Sequence, residues 1–340
     1  MGGNITLMIK IFNVRKILGI LLLITGGHLH AQQTVQFSQY AFNGLSVNPA
    51  YAGYKESLYL NGSYRHQWTG IPGAPRTGGI SIDGPTRVAG NKVGLGLQVM
   101  ADIMGPQQAF SLYGSYAYRI PLDEEGTRRF CLGLGIGVTQ YSLDGSVLVP
   151  RETGDATIPT GKVNSLAPDA RFGIYYYSSS FYAGVSVLDL FSSYTEKGYF
   201  WKGYNFGTIR KTQHVYLTTG VMFPLSEHLK FKPSIMVKED FKGPTGLDVN
   251  AFLQIDNLLW IGGSYRINHK LWKQALPDDL QISNAASAML EYYITPQFRI
   301  GYAYDLNINK LAGYQGGSHE ISIGLLFPSG RQQVVSPRYF

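Results

Sequence analysis

The chain reads as an all-β protein, an antiparallel transmembrane β-barrel of about 14 strands, on three observations. Hydrophobicity alternates with period two along most of its length, charge keeps to one parity of that alternation, and short connections alternate with long ones. Composition agrees: 24 Tyr and 41 Gly stand beside only 15% charged residues, a mixture suited to a sheet wet on one face and apolar on the other. An all-β barrel of 340 residues is commonly a single unit.

At the amino end, Lys10, Arg15 and Lys16 precede the apolar run 17–24, and His28-Leu29-His30-Ala31 leads into Gln32-Gln33. Basic flank, apolar core and small residue in that order predict a secretory signal peptide over 1–31, cleaved after Ala31. The run is too short to cross a bilayer as a helix. Without its three basic residues the formal charge falls from +7 to +4, mild basicity that does not argue for nucleic acid. Cys131 is the only cysteine, which excludes an intrachain disulfide and a CxxC redox or zinc site. Residues 32–56 are expected to form a periplasmic amino-terminal segment ahead of the first strand.

Strands are expected near 57–67, 77–83, 91–101, 107–121, 127–142, 169–178, 180–188, 212–225, 228–240, 245–256, 258–266, 285–295, 297–305 and 317–327. The fourth is representative, with Phe110, Leu112, Gly114, Tyr116, Tyr118 and Ile120 on one face and Ser111, Tyr113, Ser115, Ala117 and Arg119 on the other. In the fifth, Gly133, Gly135, Gly137 and Thr139 occupy the polar parity, leaving room inside. Pro233 lacks a ladder donor, so a bulge or a shortened pairing is expected there. Tyr175-Tyr176-Tyr177, Tyr292-Tyr293, Tyr302 and Tyr304 lie near strand ends, where aromatic rings can sit at headgroup level.

Charge falls on the polar parity at Arg65, Asp83, Arg119, Arg171, Lys230, Lys232, Lys238, Asp248, Asp256, Arg266, Glu291, Arg299 and Glu320. In a soluble sandwich that face meets water; in a membrane barrel it lines the lumen. Connection lengths favour the barrel. The tight ones at 123–126, 178–179, 226–227, 256–257 and 295–296 lie between long ones such as 143–168, 189–211, 267–284 and 306–316, as periplasmic turns alternate with external loops. The barrel is thus expected over 57–327 and a periplasmic carboxy-terminal tail over 328–340.

Catalytic patterns are missing. Gly133-Leu134-Gly135-Ile136-Gly137 lacks the G-x-G-x-x-G spacing and lies in an alternating strand; Gly161-Lys162-Val163 fails as a phosphate loop. The histidines show no paired metal spacing, and no G-x-S-x-G elbow occurs. The expectation is no enzyme, no cofactor and no metal.

Gln36-Phe37-Ser38-Gln39-Tyr40 with Val47-Asn48-Pro49-Ala50-Tyr51-Ala52-Gly53 resembles the opening of the PorP/SprF family. Tyr64-Arg65-His66-Gln67-Trp68, Gly73-Ala74-Pro75-Arg76-Thr77, Gly94-Leu95-Gly96 with Asp102 and Gly105, Gly317-Ser318-His319-Glu320-Ile321 and Ser336-Pro337-Arg338-Tyr339-Phe340 extend the likeness over the mature chain. The resemblance implies a Gram-negative outer-membrane component of the type IX secretion and gliding machinery. Its implied partners are a secreted cargo or adhesin carboxy-terminal domain at the cell surface, periplasmic ring lipoproteins, and outer-membrane lipid. A passive porin or solute channel is the alternative, and a lumen lined by both signs of charge fits an open pore or a filled one. Candidate partner-binding residues in the external loops are Tyr199, Trp201, Lys202, Tyr204, Lys270, Trp272 and Lys273, since aromatic and basic residues together suit interface cores. In the tail they are Arg338, Tyr339 and Phe340.

Overall fold

The computed structural model of the protein describes residues 37–86, 91–148, 161–192, 212–269, 271, 283–308 and 312–328. Its strands are β1 (Leu58–His66), β2 (Arg76–Thr86), β3 (Val93–Met104), β4 (Gln107–Pro121), β5 (Arg129–Asp144), β6 (Lys162–Tyr177) and β7 (Phe181–Leu188), followed by β8 (His214–Val221) and β9 (Phe223–Pro224). Then come β10 (Leu229–Glu239), β11 (Thr245–Ile255), β12 (Leu259–His269), β13 (Ser283–Thr295), β14 (Phe298–Asn307) and β15 (Ser318–Phe327). All the pairings are antiparallel. β15 returns to β1 in register from Leu58 opposite Phe327 to His66 opposite His319, and β10 joins β11, so the sheet closes on itself. Closure leaves no free edge, which is the condition for a sheet to cross lipid.

β8 and β9 are one stave interrupted at Met222. Ser234 pairs with Gly220 and Phe231 with Phe223, so the register is conserved across the gap and no residue bulges out. The break faces Pro233, which in this register stands opposite Val221 and offers it no backbone N–H; Met222 pairs on its other side, its amide donating to the Ser180 carbonyl at 2.7 Å. The shortened pairing expected at this proline is the form found, and the stave count becomes fourteen.

Burial is inverted relative to a soluble protein. Arg119, Lys232 and Glu320 are fully buried, whereas Ile80 is 59% and Ile136 66% exposed. The apolar parity therefore faces outward and the charged parity inward, as a bilayer requires. Two details depart from expectation. β6 begins at Lys162, well ahead of 169, because Leu143 and Asp144 of β5 carry the pairing on to Val163 and Lys162 although the segment is too polar to show a clear alternation. In the tyrosine triplet, parity sends Tyr176 outward and turns Tyr175 and Tyr177 into the lumen, where they are 3% and 1% exposed and take no part in a lipid girdle.

Leu58 and Phe327 lie side by side, so the chain enters and leaves the barrel at one end. That end carries the connections 122–128, 178–180, 225–228, 256–258 and 296–297 and is termed the turn end; the opposite strand ends, among them His66, Asp144, Leu188, His269 and Asn307, define the loop end. The loop end also holds one tight turn at 105–106. Gly105 adopts a positive φ of 55° there and donates its amide to the Gly73 carbonyl at 2.9 Å, stitching two connections together.

Candidate functional site

The described part of the amino-terminal segment, 37–56, does not lie outside the barrel as expected for a periplasmic extension. It occupies the lumen. Three short 3-10 turns, Ser38–Phe42, Gly44–Ser46 and Pro49–Tyr51, run through it before the chain joins β1. Such a polar and aromatic stretch has no periodicity of its own, and its position is set by contacts made from the barrel wall.

At the loop end the segment is latched by charge. The Glu320 carboxylate accepts the amides of Ser38 at 2.7 Å and Gln39 at 3.0 Å, while the Ser38 hydroxyl donates to Asp305 at 2.7 Å and accepts from Arg65 at 2.8 Å. Arg65 pairs in turn with Asp305 and, at 3.2 Å, with Glu320. All three charged side chains are nearly inaccessible, so each depends on the others to offset its desolvation. The contacts combine residues from β1, β14 and β15, neighbouring strands of the closure seam.

From this latch the segment descends and spreads across the turn half of the lumen. Phe42 packs edge-on against Phe252 and Trp260, with ring centroids 5.1 and 5.7 Å apart, and Lys232 places its ammonium 5.4 Å from the Phe42 and Trp260 centroids. Cation–π contact gives a buried lysine partial compensation for lost water. The Arg299 guanidinium caps the Phe42 carbonyl at 3.3 Å, and Asn250 donates to the Tyr40 hydroxyl at 2.6 Å. On the far wall, Tyr51 and Tyr54 pack into Tyr175 and Tyr177, with centroids 4.7 Å apart for Tyr54 and Tyr177.

The backbone of the segment lies directly on inward glycines. A Cβ placed on Gly133 would fall 2.1 Å from the Ala50 nitrogen, and one on Gly94 2.0 Å from the Ala52 oxygen. Gly173 leaves similar room for the Asn48 side chain. Asn48 uses all of its amide: Oδ1 accepts from Ala50 N at 2.9 Å, capping the third turn, while Nδ2 donates to the carbonyls of Ile174 at 3.0 Å and Val185 at 3.4 Å. Gly53, at a φ of 79°, donates its amide to Asp83 at 2.8 Å. Glu56, also left-handed at 57°, is held by Arg119 and by Arg129 at 3.4 Å. The Asn48-Pro49 turn signal and the Gly53 kink are thus parts of a lumenal seat.

Residues that the sequence singled out as motifs therefore converge on one structure. Arg65 and Glu320 belong to the latch, Gly94 and Gly96 to the wall beneath Ala52 and Leu45, and 37–53 to the filling itself. The proposed loop residues Tyr199, Trp201, Lys202, Tyr204, Lys270, Trp272 and Lys273, and Arg338, Tyr339 and Phe340 of the tail, lie outside the described residues, as do the signal peptide 1–31 and the tail beyond Pro328. Among the described residues no group of three or more His, Cys, Asp or Glu is arranged to hold a metal ion.

A family model described as type IX secretion system membrane protein PorP/SprF matches residues 29–325. No curated protein matches the chain. Among solved structures it is similar to a deletion mutant of TodX, a monoaromatic hydrocarbon channel, at 10% identity and a TM-score of 0.48, over 84% of this chain and 94% of that one. It is similar to the monoaromatic hydrocarbon channel CymD at 12% identity and a TM-score of 0.48, over 84% and 93%. To Omp33 of Acinetobacter baumannii the values are 10%, 0.45, 81% and 100%. Likeness at this level carries nothing about what the chain binds.

Proposed function

The chain belongs to the PorP/SprF family of type IX secretion system membrane proteins, an outer-membrane barrel, and from that premise we propose that it works through its two ends and not through its lumen. The loop end holds a secreted cargo or adhesin carboxy-terminal domain at the cell surface, and the turn end meets periplasmic ring lipoproteins. The observation that carries this reading is the lumen occupied by 37–56: a segment locked by Arg65, Arg119, Asp305 and Glu320 is a poor design for solute passage. Short turns on the periplasmic side and long loops outside give the orientation.

Within this reading the aromatic and basic residues of the long loops, Trp201 and Trp272 foremost, form the anchor, because such side chains bury large area and supply directed donors. Arg338, Tyr339 and Phe340 supply the periplasmic contact. Recovery of partners from native membranes tests both. Replacing Trp201 and Trp272 by Ala is expected to release cargo into the medium, at a cost of about 2 kcal/mol or more, roughly a 30-fold loss of affinity, with barrel abundance unchanged. Removing 335–340 is expected to lose the periplasmic partners alone. A full-length chain that copurifies with neither class, yet renders liposomes permeable to small solutes, would favour the porin reading.

A further inference from the structure

The lipid-facing wall carries a feature of its own where β15, β1 and β2 run side by side. Outward positions alternate along each strand, and the pairings fix which of them are neighbours. One outward row runs Ile323, Gly62, Ile80; the next, one pleat nearer the loop end, runs Ile321, Tyr64, Gly78. Each row sets a glycine against bulky exposed side chains, so the wall is indented there. The indentation is an apolar groove of about 470 Å³ that these six residues line together with part of β3. Beyond it, the outward parity changes character on three strands at once. β1 runs Leu58, Leu60, Gly62, Tyr64 and ends on His66; β15, read back from Phe327 through Leu325, Ile323 and Ile321, reaches His319; β2, read back from Ile82 through Ile80 and Gly78, reaches Arg76. His66 pairs with both His319 and Arg76. The three form one continuous row, about 7 Å beyond the Tyr64 row at two residues of strand rise.

We propose that this patch binds one anionic, phosphate-bearing lipid of the leaflet at the loop end, with an acyl chain in the groove and the phosphate on Arg76, His66 and His319. The two halves together require an occupant that is apolar along its length and negative at its end. An apolar protein wall seated on the groove would carry Arg76 into hydrocarbon, which is unfavourable, and a free anion would leave the groove unused. Arg76 is exposed, and among the described residues no carboxylate forms an ion pair with it, with His66 or with His319. A guanidinium binds phosphate through strong, directional hydrogen bonds. His319 is held beside it: the Tyr302 hydroxyl stands 2.7 Å from its Nδ1, and the Tyr304 ring centroid lies 5.1 Å from its own. When that hydroxyl donates, Nε2 carries the ring proton and is left as a donor. Tyrosine and basic residues at the edge of an apolar band are suited to headgroup level. With the orientation proposed above, the occupant is lipid A of the outer leaflet. That identity rests on the orientation; the site does not.

Native mass spectrometry of the full-length barrel, extracted from outer membranes in mild detergent, tests the site. Added lipid A is the probe, phosphatidylethanolamine the zwitterionic comparator and inorganic phosphate the headgroup chemistry alone. The native chain is expected to hold one lipid A per barrel and neither comparator. Arg76→Gln should weaken that adduct about fivefold, the contribution of one cation near a membrane surface. Gly78→Leu should abolish it by filling the groove. A Cβ there meets only the Tyr64 ring at 3.9 Å, so the barrel has room for the new side chain. Gly114→Leu, on the outward parity of β4, is the control and should keep the adduct. Equal adducts on the native, Arg76→Gln and Gly78→Leu chains would overturn the inference, as would an equal loss in Gly114→Leu or inorganic phosphate binding as tightly as lipid A. A glycerophospholipid retained from the native membrane in place of lipid A, and lost in the same two variants, would uphold the site and overturn the orientation in the functional reading.

Discussion

Substituting valine for Gly133 is expected to unseat the lumenal segment and convert a silent barrel into a conducting one. The position tolerates no side chain while the segment is in place: a Cβ there would fall 2.1 Å from Ala50 N and 2.4 Å from its Cα, and both are backbone atoms that cannot rotate aside. The strand itself is not the obstacle, because valine suits a β-strand better than glycine does. The strain is therefore relieved by moving Asn48 to Ala52. That movement breaks the Asn48 bonds to Ile174 and Val185 and leaves a wall of charged and small side chains facing water. Gly114→Val is the control, since a Cβ there meets only the Ile136 carbonyl at 4.0 Å. In planar bilayers Gly133→Val should give discrete conductance steps and Gly114→Val should stay at the baseline of the native chain. Equal behaviour of the two variants would mean that the segment is not seated on the glycine wall.

The second large effect is expected at the latch. Arg65→Met removes the cation that pairs with both Asp305 and Glu320 and leaves two buried carboxylates near each other, 1% and 0% exposed. Breaking a buried ion cluster by deleting one partner costs about 3–5 kcal/mol, because the remaining charge stays desolvated. The thermal midpoint of the barrel in detergent should fall accordingly. Adding Asp305→Asn and Glu320→Gln to the same chain should restore much of the loss, since removing a whole buried cluster is far milder than halving it. A single Arg65→Met variant as stable as the native chain would show that the latch holds nothing.

The fourteen staves were legible because each strand carries its own signal, period-two alternation with charge on one parity, and because a lipid-facing barrel cannot relax that rule anywhere along its wall. Boundaries shifted where the signal weakened, as at the polar start of β6. The lumenal segment was not legible in the same way. Ser38 to Ala52 has no period, its turn chemistry at Asn48-Pro49 reads equally well as a surface loop, and its partners lie far along the chain, from Gly94 and Gly133 to Asp305 and Glu320. A signal for it did exist. Gly94, Gly133 and Gly173 repeat on the inward parity of three strands, and glycine inside a strand marks the close approach of another backbone. Tyr175 and Tyr177 carried the same message, since two of three consecutive tyrosines in a strand must share a face and that face was already the charged one. The expected periplasmic position of 32–56 came from treating the chain before the first strand as an appendage, although the inward charges of both signs suited a polar filling as well as an open pore.

Single-channel recording of the purified native chain in a planar bilayer tests the central claim most directly. A barrel whose lumen is occupied by 37–56 should insert without conductance steps, while a chain lacking 37–52 should conduct. Steady steps from the native chain, scaling with the number of inserted barrels and equal to those of the truncated one, would contradict the account.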